Sequence, residues 1–447
     1  MKLNYITTTY EDNKKKRTQQ EIPFLADEEE ENNVVNLYPQ VRYQSFEGFG
    51  GAVTDSAGYV YSLMDDEQQK EIIHQYFGKE NMKYCMVRIP IDSCDFSLEH
   101  YEADSDKEDD ALEKFSFERV EKYILPLLEA AQKEYGRKLE IMLSPWSPPS
   151  YMKTNGERNH GGKLKKEYAG RWARYICRTI EEYRRRGYLV TRLTMQNEPK
   201  AVQTWDSCVY TAKEEKEFIK EFLYPEMRKQ GMTDIGIYIW DHNKERAYEW
   251  AEEIFTEETE GMLAGVAFHW YSGDHFEALQ MIRERFPDKK LLLSEACIEY
   301  SKFNAGDYLK NAQKYAHDMI GNLNHGMNAF FDWNLILDKQ GGPNHVGNYC
   351  DAPYLYDETQ NELVETNILG YLWHFSHFIE AGAVRIGVSS YTDEVEVCAL
   401  EKEGKITIVF LNRTEKEIPV NLRLKNNCAK ILVQPKSIST GIVEGTY

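Results

Sequence analysis

The chain has 447 residues, 42% of them hydrophobic, enough for one large core and a smaller second unit. A mean hydropathy of −0.63 without any long apolar run excludes a membrane-spanning helix. The net charge of −20 repels phosphate backbones, so nucleic acid is not an expected partner.

Residues 1–45 hold short strand-like pieces, LNYITTTY and VVNLY, and no helix pattern. The start, MKLNYITTTYEDNKKKRTQQ, lacks the apolar segment of a secretory signal. The eight cysteines form no C-x-x-C pair, so reduced thiols in a cytoplasm are expected. The acidic runs at 27–31 and 104–110 read as solvated loops.

Between 46 and 383, eight short apolar runs recur: FEGFGGAV (46–53), YCMVRIPI (84–91), LEIMLSPW (139–146), VTRLTMQNEP (190–199), IGIYIWDHN (235–243), LAGVAFHWY (263–271), KKLLLSEAC (289–297) and MNAFFDWN (327–334). Helix-like segments separate most of them. In EYAGRWARYICRTIEEYRRRG, Trp172, Tyr175, Ile176, Thr179, Ile180 and Tyr183 form a helical stripe. Strands alternating with helices predict an α/β fold, a (β/α)8 TIM barrel over 46–383. From 384 to 447 the rhythm changes to alternating strands and tight turns. A smaller antiparallel β-sandwich side domain is predicted there, with residues 1–45 pairing into it.

The candidate strands end in polar or aromatic groups: Asp92, Trp146, Glu198, Asp241, His269 with Tyr271, Glu295, and Trp333 with Asn334. Strand C-termini form the active face of this fold, so the recurrence predicts a lined pocket. Any one Glu among 74 acidic residues is more simply a surface group. Two at strand ends about three βα units apart, Glu198 and Glu295, can face each other across a ligand. Glycoside hydrolysis needs that pair, one as acid and one as carboxylate at the sugar carbon. Asn197 can bond a sugar 2-hydroxyl, and Pro199 is expected to hold Glu198 extended. Arg88 is the cation expected to keep Glu295 ionised, whereas Glu198 as acid is expected to have a raised pKa.

Weaker signals give less. GFGGAVTD (48–55) lacks the third glycine or lysine of a phosphate loop, so no nucleotide cofactor is expected. His269 and His275 lack a metal-ligand spacing, so no metal is expected. Cys297 reads as a pocket or core thiol. His345, in the glycine-rich GGPNHVGN, is open between a functional role and stabilising its loop.

Together the motifs MQNEP, LSEAC, RIPIDSCDFS, SPWSPPSYMKTNG, AFHWY, FDWNL and GGPNHVGNY resemble the glucosylceramidases of glycoside hydrolase family 30, from about residue 46 through the C-terminal domain. The resemblance implies a retaining β-glucosidase with Glu198 as acid/base and Glu295 as nucleophile. It implies Asp95, Trp146, Asn197, Trp333 and Asn348 as sugar-binding residues, with Arg88, His269 and Tyr271 in support. It also implies a small-molecule or lipid β-glucoside as substrate and no cofactor. After the acid motif the chain reads KAVQTWDSC, shorter than the loop of the lysosomal members and closer to bacterial ones, with Trp205 as a candidate aromatic wall. The alternatives are another glycone (β-xyloside, β-fucoside or β-1,6-glucan) or a non-catalytic sugar-binding protein.

Overall fold

In a computed structural model, which describes residues 1–445, eight parallel strands close into a barrel. They are β1 (Gly48–Ala52), β2 (Met86–Ile91), β3 (Glu140–Pro145), β4 (Leu189–Thr194), β5 (Gly236–Asn243), β6 (Gly265–His269), β7 (Lys290–Glu295) and β8 (Ala329–Asn334). Each of the eight predicted runs contributes one strand. The fourth is shorter than expected: β4 stops at Thr194, so Glu198 lies in the turn beyond it.

Helices pack outside. The stripe on the helix Ala169–Arg185 is buried along its whole length, from Trp172 to Tyr183. The glycines of the first run serve packing: a Cβ on Gly50 would sit 2.4 Å from the Met86 carbonyl oxygen. Only a glycine lets β1 approach β2 so closely.

Inside the barrel, period-two alternation builds two layers. Met86, Met142, Tyr238, Ala267, Leu292, Ala329 and Phe331 form an apolar plug. Two residues further along their strands, Arg88, Ser144, His269 and Ser294 begin a polar layer, and all four are buried. On β5 strict alternation would turn Trp240 inward. Instead the register against β6 slips between Ala267 and Phe268, and Trp240 and Asp241 take positive φ of 73° and 53°. This bulge sends Trp240 outward onto Trp250 and turns Asp241 into the polar layer. The freed Trp240 N–H donates to the Glu215 carboxylate at 3.1 Å, which also accepts from Trp250 Nε1 at 2.6 Å.

The second unit is one ten-stranded sheet. It combines the six strands between Val384 and Glu444 with four from the N-terminal segment. Its two halves share one apolar core, which includes Leu3 and Tyr5 from one end of the chain and Val420 and Leu422 from the other. The sheet is antiparallel except where Ile418–Leu424 runs parallel to Val34–Ser45. One of its strands, Lys14–Pro23, had no sequence signal: it is exposed along almost all its length, so no apolar alternation marks it. No helix among the described residues is long and apolar enough to cross a membrane.

Candidate active site

At the mouth of the barrel a cavity of about 280 Å³ is lined by Asp95, Trp146, Asn197, Glu198, Trp205, Tyr271, Glu295, Trp333 and Asn348. All nine were singled out in the sequence. Arg88 and His269 lie beneath it, fully buried. The cavity wall also includes Gln203, His242, Asn243, Glu299 and Lys302, which sequence reasoning missed.

Arg88 is the hub. Its Nη1 donates to Glu295 Oε2 at 2.5 Å, and its Nη2 to Asn197 Oδ1 and Asp241 Oδ2, both at 2.9 Å. Its Nε donates to Ser144 Oγ at 3.0 Å. A buried guanidinium is tolerable because every edge meets an acceptor and two carboxylates balance it. Asp241 accepts further hydrogen bonds from Thr194 Oγ1 at 2.6 Å and Ser294 Oγ at 2.5 Å. Burial alone would raise its pKa, but Arg88 and His269 hold it far below the ordinary range.

The two glutamates stand in different surroundings. Glu295, at the end of β7, has one oxygen on Arg88 and the other accepting from the Tyr271 hydroxyl at 2.8 Å. Glu198 faces two imidazoles: its Oε1 lies 3.2 Å from His269 Nδ1 and 3.4 Å from His242 Nδ1. His269 Nε2 lies 3.1 Å from Asp241 Oδ1 and 4.0 Å from Glu295 Oε2, so one ring stands between the two glutamates.

Two expectations for Glu198 need correction. Its φ is +46°, not extended. The following proline disfavours right-handed helical geometry but leaves the left-handed region open. The chain uses that region to turn, with the Glu198 N–H donating to Asp241 O at 2.9 Å and Ala201 N donating to Glu198 O at 2.8 Å. A glutamate at positive φ is strained, and such strain gathers at functional sites. Its pKa is also not raised. Burial pushes it up, but His242 and His269 outweigh burial and draw it well below the ordinary value. His269 rises in turn to about 9: burial lowers it, and Glu295, Asp241 and Glu198 together overcome burial.

Trp146 and Trp333 stack at 5.4 Å with 18° between their planes, giving an apolar wall. Asp95, beside Asn348, is pushed well above the usual carboxylate range by burial and then by Glu295 and Glu198. A protonated carboxyl there offers both a donor and an acceptor to a hydroxyl. Asn197 gives its oxygen to Arg88, leaving its amide nitrogen as the donor for a ligand. Gln196 fixes the loop by donating to Trp146 O at 2.7 Å.

Sequence comparison agrees with this geometry. Residues 46–379 match the glycosyl hydrolase family 30 TIM-barrel domain, and residues 382–441 match that family's β-sandwich domain. The chain belongs to glycosyl hydrolase family 30. It is a glycoside hydrolase, as the sequence motifs implied. It is 30% identical to the lysosomal acid glucosylceramidase of Mus musculus, over 87% of this chain and 79% of that one. It superposes on the crystal structure of SrfJ from Salmonella typhimurium with a TM-score of 0.96 and 35% identity, covering 100% of both chains. Against the endo-β1,6-glucanase BT3312 the TM-score is 0.88 at 25% identity, covering 99% of both chains.

Proposed function

We propose that this family 30 enzyme is a retaining β-glucosidase acting on β-glucosides, glucosylceramide among them. The observation that carries the reading is the unlike setting of two carboxylates on one pocket. Glu295, with both oxygens on donors, is oriented as the nucleophile; Glu198, among imidazoles, is the acid/base. Glu295 attacks the anomeric carbon and forms a glycosyl ester as the glycosidic C–O bond breaks. Glu198 gives its proton to the departing oxygen, then takes one from the water that cleaves the ester. In the free protein that proton rests on His269, which lies 3.2 Å from Glu198 and 3.1 Å from Asp241, so substrate binding must return it to Glu198. A sugar ring that displaces water deepens the burial of Glu198 and favours its protonated form.

The cavity of about 280 Å³ falls just under the usual range for small-molecule sites, about 300–1,000 Å³. It suits one sugar ring, with the aglycone left to the rim near Trp205. This size favours terminal glucosides over internal cleavage of a β-1,6-glucan, the reaction named for BT3312. A panel of nitrophenyl β-glucoside, β-xyloside and β-fucoside, with β-1,6-glucan and glucosylceramide, separates these substrates. A mechanism-based cyclophellitol followed by peptide mass spectrometry tests the nucleophile: label is expected on Glu295, and label elsewhere refutes it. Glu198→Gln is expected to lose about 10²–10⁴ in rate on alkyl glucosides.

A further inference from the structure

We propose that His100, Asp206 and His345 form a binding site for a divalent transition-metal ion such as Zn²⁺, which ties together three loops of the pocket wall. His100 follows β2 on the loop that carries Asp95. Asp206 follows β4 on the loop that carries Trp205. His345 follows β8 on the loop that carries Asn348. One potential ligand atom from each lies within 4.8 Å of the other two.

The hydrogen bonds around these side chains leave His345 Nε2 without a partner, and the proton joining His100 Nδ1 to Asp206 is the one a metal ion would replace. His345 Nδ1 lies 3.0 Å from the Ser97 carbonyl oxygen, which can only accept. That contact places the ring proton on Nδ1 and a lone pair on Nε2. Nε2 is buried and has no hydrogen-bond partner. A histidine anchored through one nitrogen to a carbonyl, with the other free, is the usual state of a metal ligand. Asp206 is likewise anchored through one oxygen: Oδ1 accepts from Arg158 Nε at 2.5 Å and Ser93 Oγ at 2.9 Å. Its Oδ2 faces His100 Nδ1 at 3.0 Å. The two imidazoles meet edge to face with centroids 4.5 Å apart.

Charge and ligand type narrow the occupant. Arg158 answers three carboxylates: Asp206, Asp92 at 3.5 Å and Glu102 at 3.6 Å. Even with the buried ammonium of Lys153 nearby, the cluster keeps an excess of acidic groups that a divalent cation would balance. Two imidazole nitrogens and one carboxylate suit Zn²⁺, Co²⁺ or Ni²⁺, whereas Ca²⁺ and Mg²⁺ want oxygen ligands. His100 is 39% exposed, which gives an ion an entry path and leaves room for a water ligand.

The test is calorimetric titration of the chelator-treated full-length protein with ZnCl2, with thermal melting in parallel. One Zn²⁺ per chain is expected, with a melting midpoint that rises on loading. His345→Asn keeps an N–H toward Ser97 but removes Nε2; His100→Ala removes the exposed ligand. Each is expected to weaken binding about 100-fold and abolish the melting shift. The catalytic pocket offers a rival set in Glu198, His242 and His269, so His242→Ala is the control and is expected to bind Zn²⁺ as the parent does. No binding by the parent, binding that survives both His100→Ala and His345→Asn, or binding lost in His242→Ala each overturns the proposal.

Discussion

Glu295 has each of its oxygens assigned to one donor, and Tyr271 is the easier of the two to remove cleanly. Tyr271→Phe deletes the 2.8 Å hydrogen bond and keeps the ring. A hydrogen bond to a charged group contributes about 1.5–3 kcal/mol, so kcat/KM on a nitrophenyl β-glucoside is expected to fall about 10–150-fold. An unchanged value would mean that the hydroxyl does not orient the carboxylate during the reaction. His269 gives a pH signature. Its pKa in the folded protein is about 9 against an ordinary 6.5, so its ion-pair stabilisation is complete below pH 6.5 and lost as pH rises through about 9. The parent is therefore expected to lose stability over that window, on the order of a few kcal/mol, while His269→Asn shows a flatter curve. Urea midpoints at pH 6 and pH 9.5 check it; parallel slopes would refute a charged His269. At this scale Glu295, Trp146 and Trp333 were legible because they sit at strand ends and Glu198 because it closely follows one, whereas Asp95 and Asn348, on loops, were reached only through the family resemblance. His242 was not, because its place beside Glu198 depends on the β5 bulge, which no local pattern announces.

Among the elements, that bulge has its own consequence. The barrel strands were legible because a strand buried on both faces reads as a continuous apolar run. Which side chain faces inward was legible wherever period-two alternation holds, as from Met86 to Arg88. On β5 it fails, because the slip against β6 is a tertiary event, held in place by Glu215 from the helix Ala212–Phe218. Glu215 is fully buried and its pKa is raised to about 7, mainly by burial, so its role is to accept from Trp240 N and Trp250 Nε1. Glu215→Leu leaves two buried N–H groups without acceptors, each costing about 1–3 kcal/mol. Denaturant unfolding should show a loss of about 2–6 kcal/mol. Activity per folded molecule should fall too, since Asp241 loses the backbone that aims it at Arg88 and His269. Lost stability with full activity would show that Asp241 is held by its own hydrogen bonds rather than by the bulge.

The molecule as a whole is joined by its first strand. Lys2–Glu11 pairs with the final strand, Ser437–Glu444, in a six-residue register from Leu3↔Val443 to Thr8↔Ile438. From there it reaches the last barrel helix, Asn367–Ser376. Tyr10 stacks on Tyr371 at 6.1 Å, and Thr8 Oγ1 lies 2.7 Å from Nε2 of the buried His374, whose Nδ1 lies 2.8 Å from Thr440 Oγ1. The sheet also packs directly on the barrel: Cys398, Leu400, Val409, Leu411 and Ile438 belong to the barrel's own apolar core. Two units joined by a common apolar core and by these contacts of the first strand should melt together. Tyr5 tests this, since it lies in the sandwich core, 1% exposed and edge-on to Phe410 at 6.0 Å, far in sequence from every pocket residue. Tyr5→Ala is expected to cost about 3–5 kcal/mol, as truncating a buried aromatic does. Lys16→Glu, on the exposed strand beside it, should change stability by no more than about 0.5 kcal/mol. If the units are coupled, Tyr5→Ala lowers the midpoint of tryptophan fluorescence and the midpoint of activity loss by the same amount, in a single transition. If instead the sandwich melted first while the barrel kept its activity, the contact of the first strand with the helix Asn367–Ser376 would be a tether and not a structural joint.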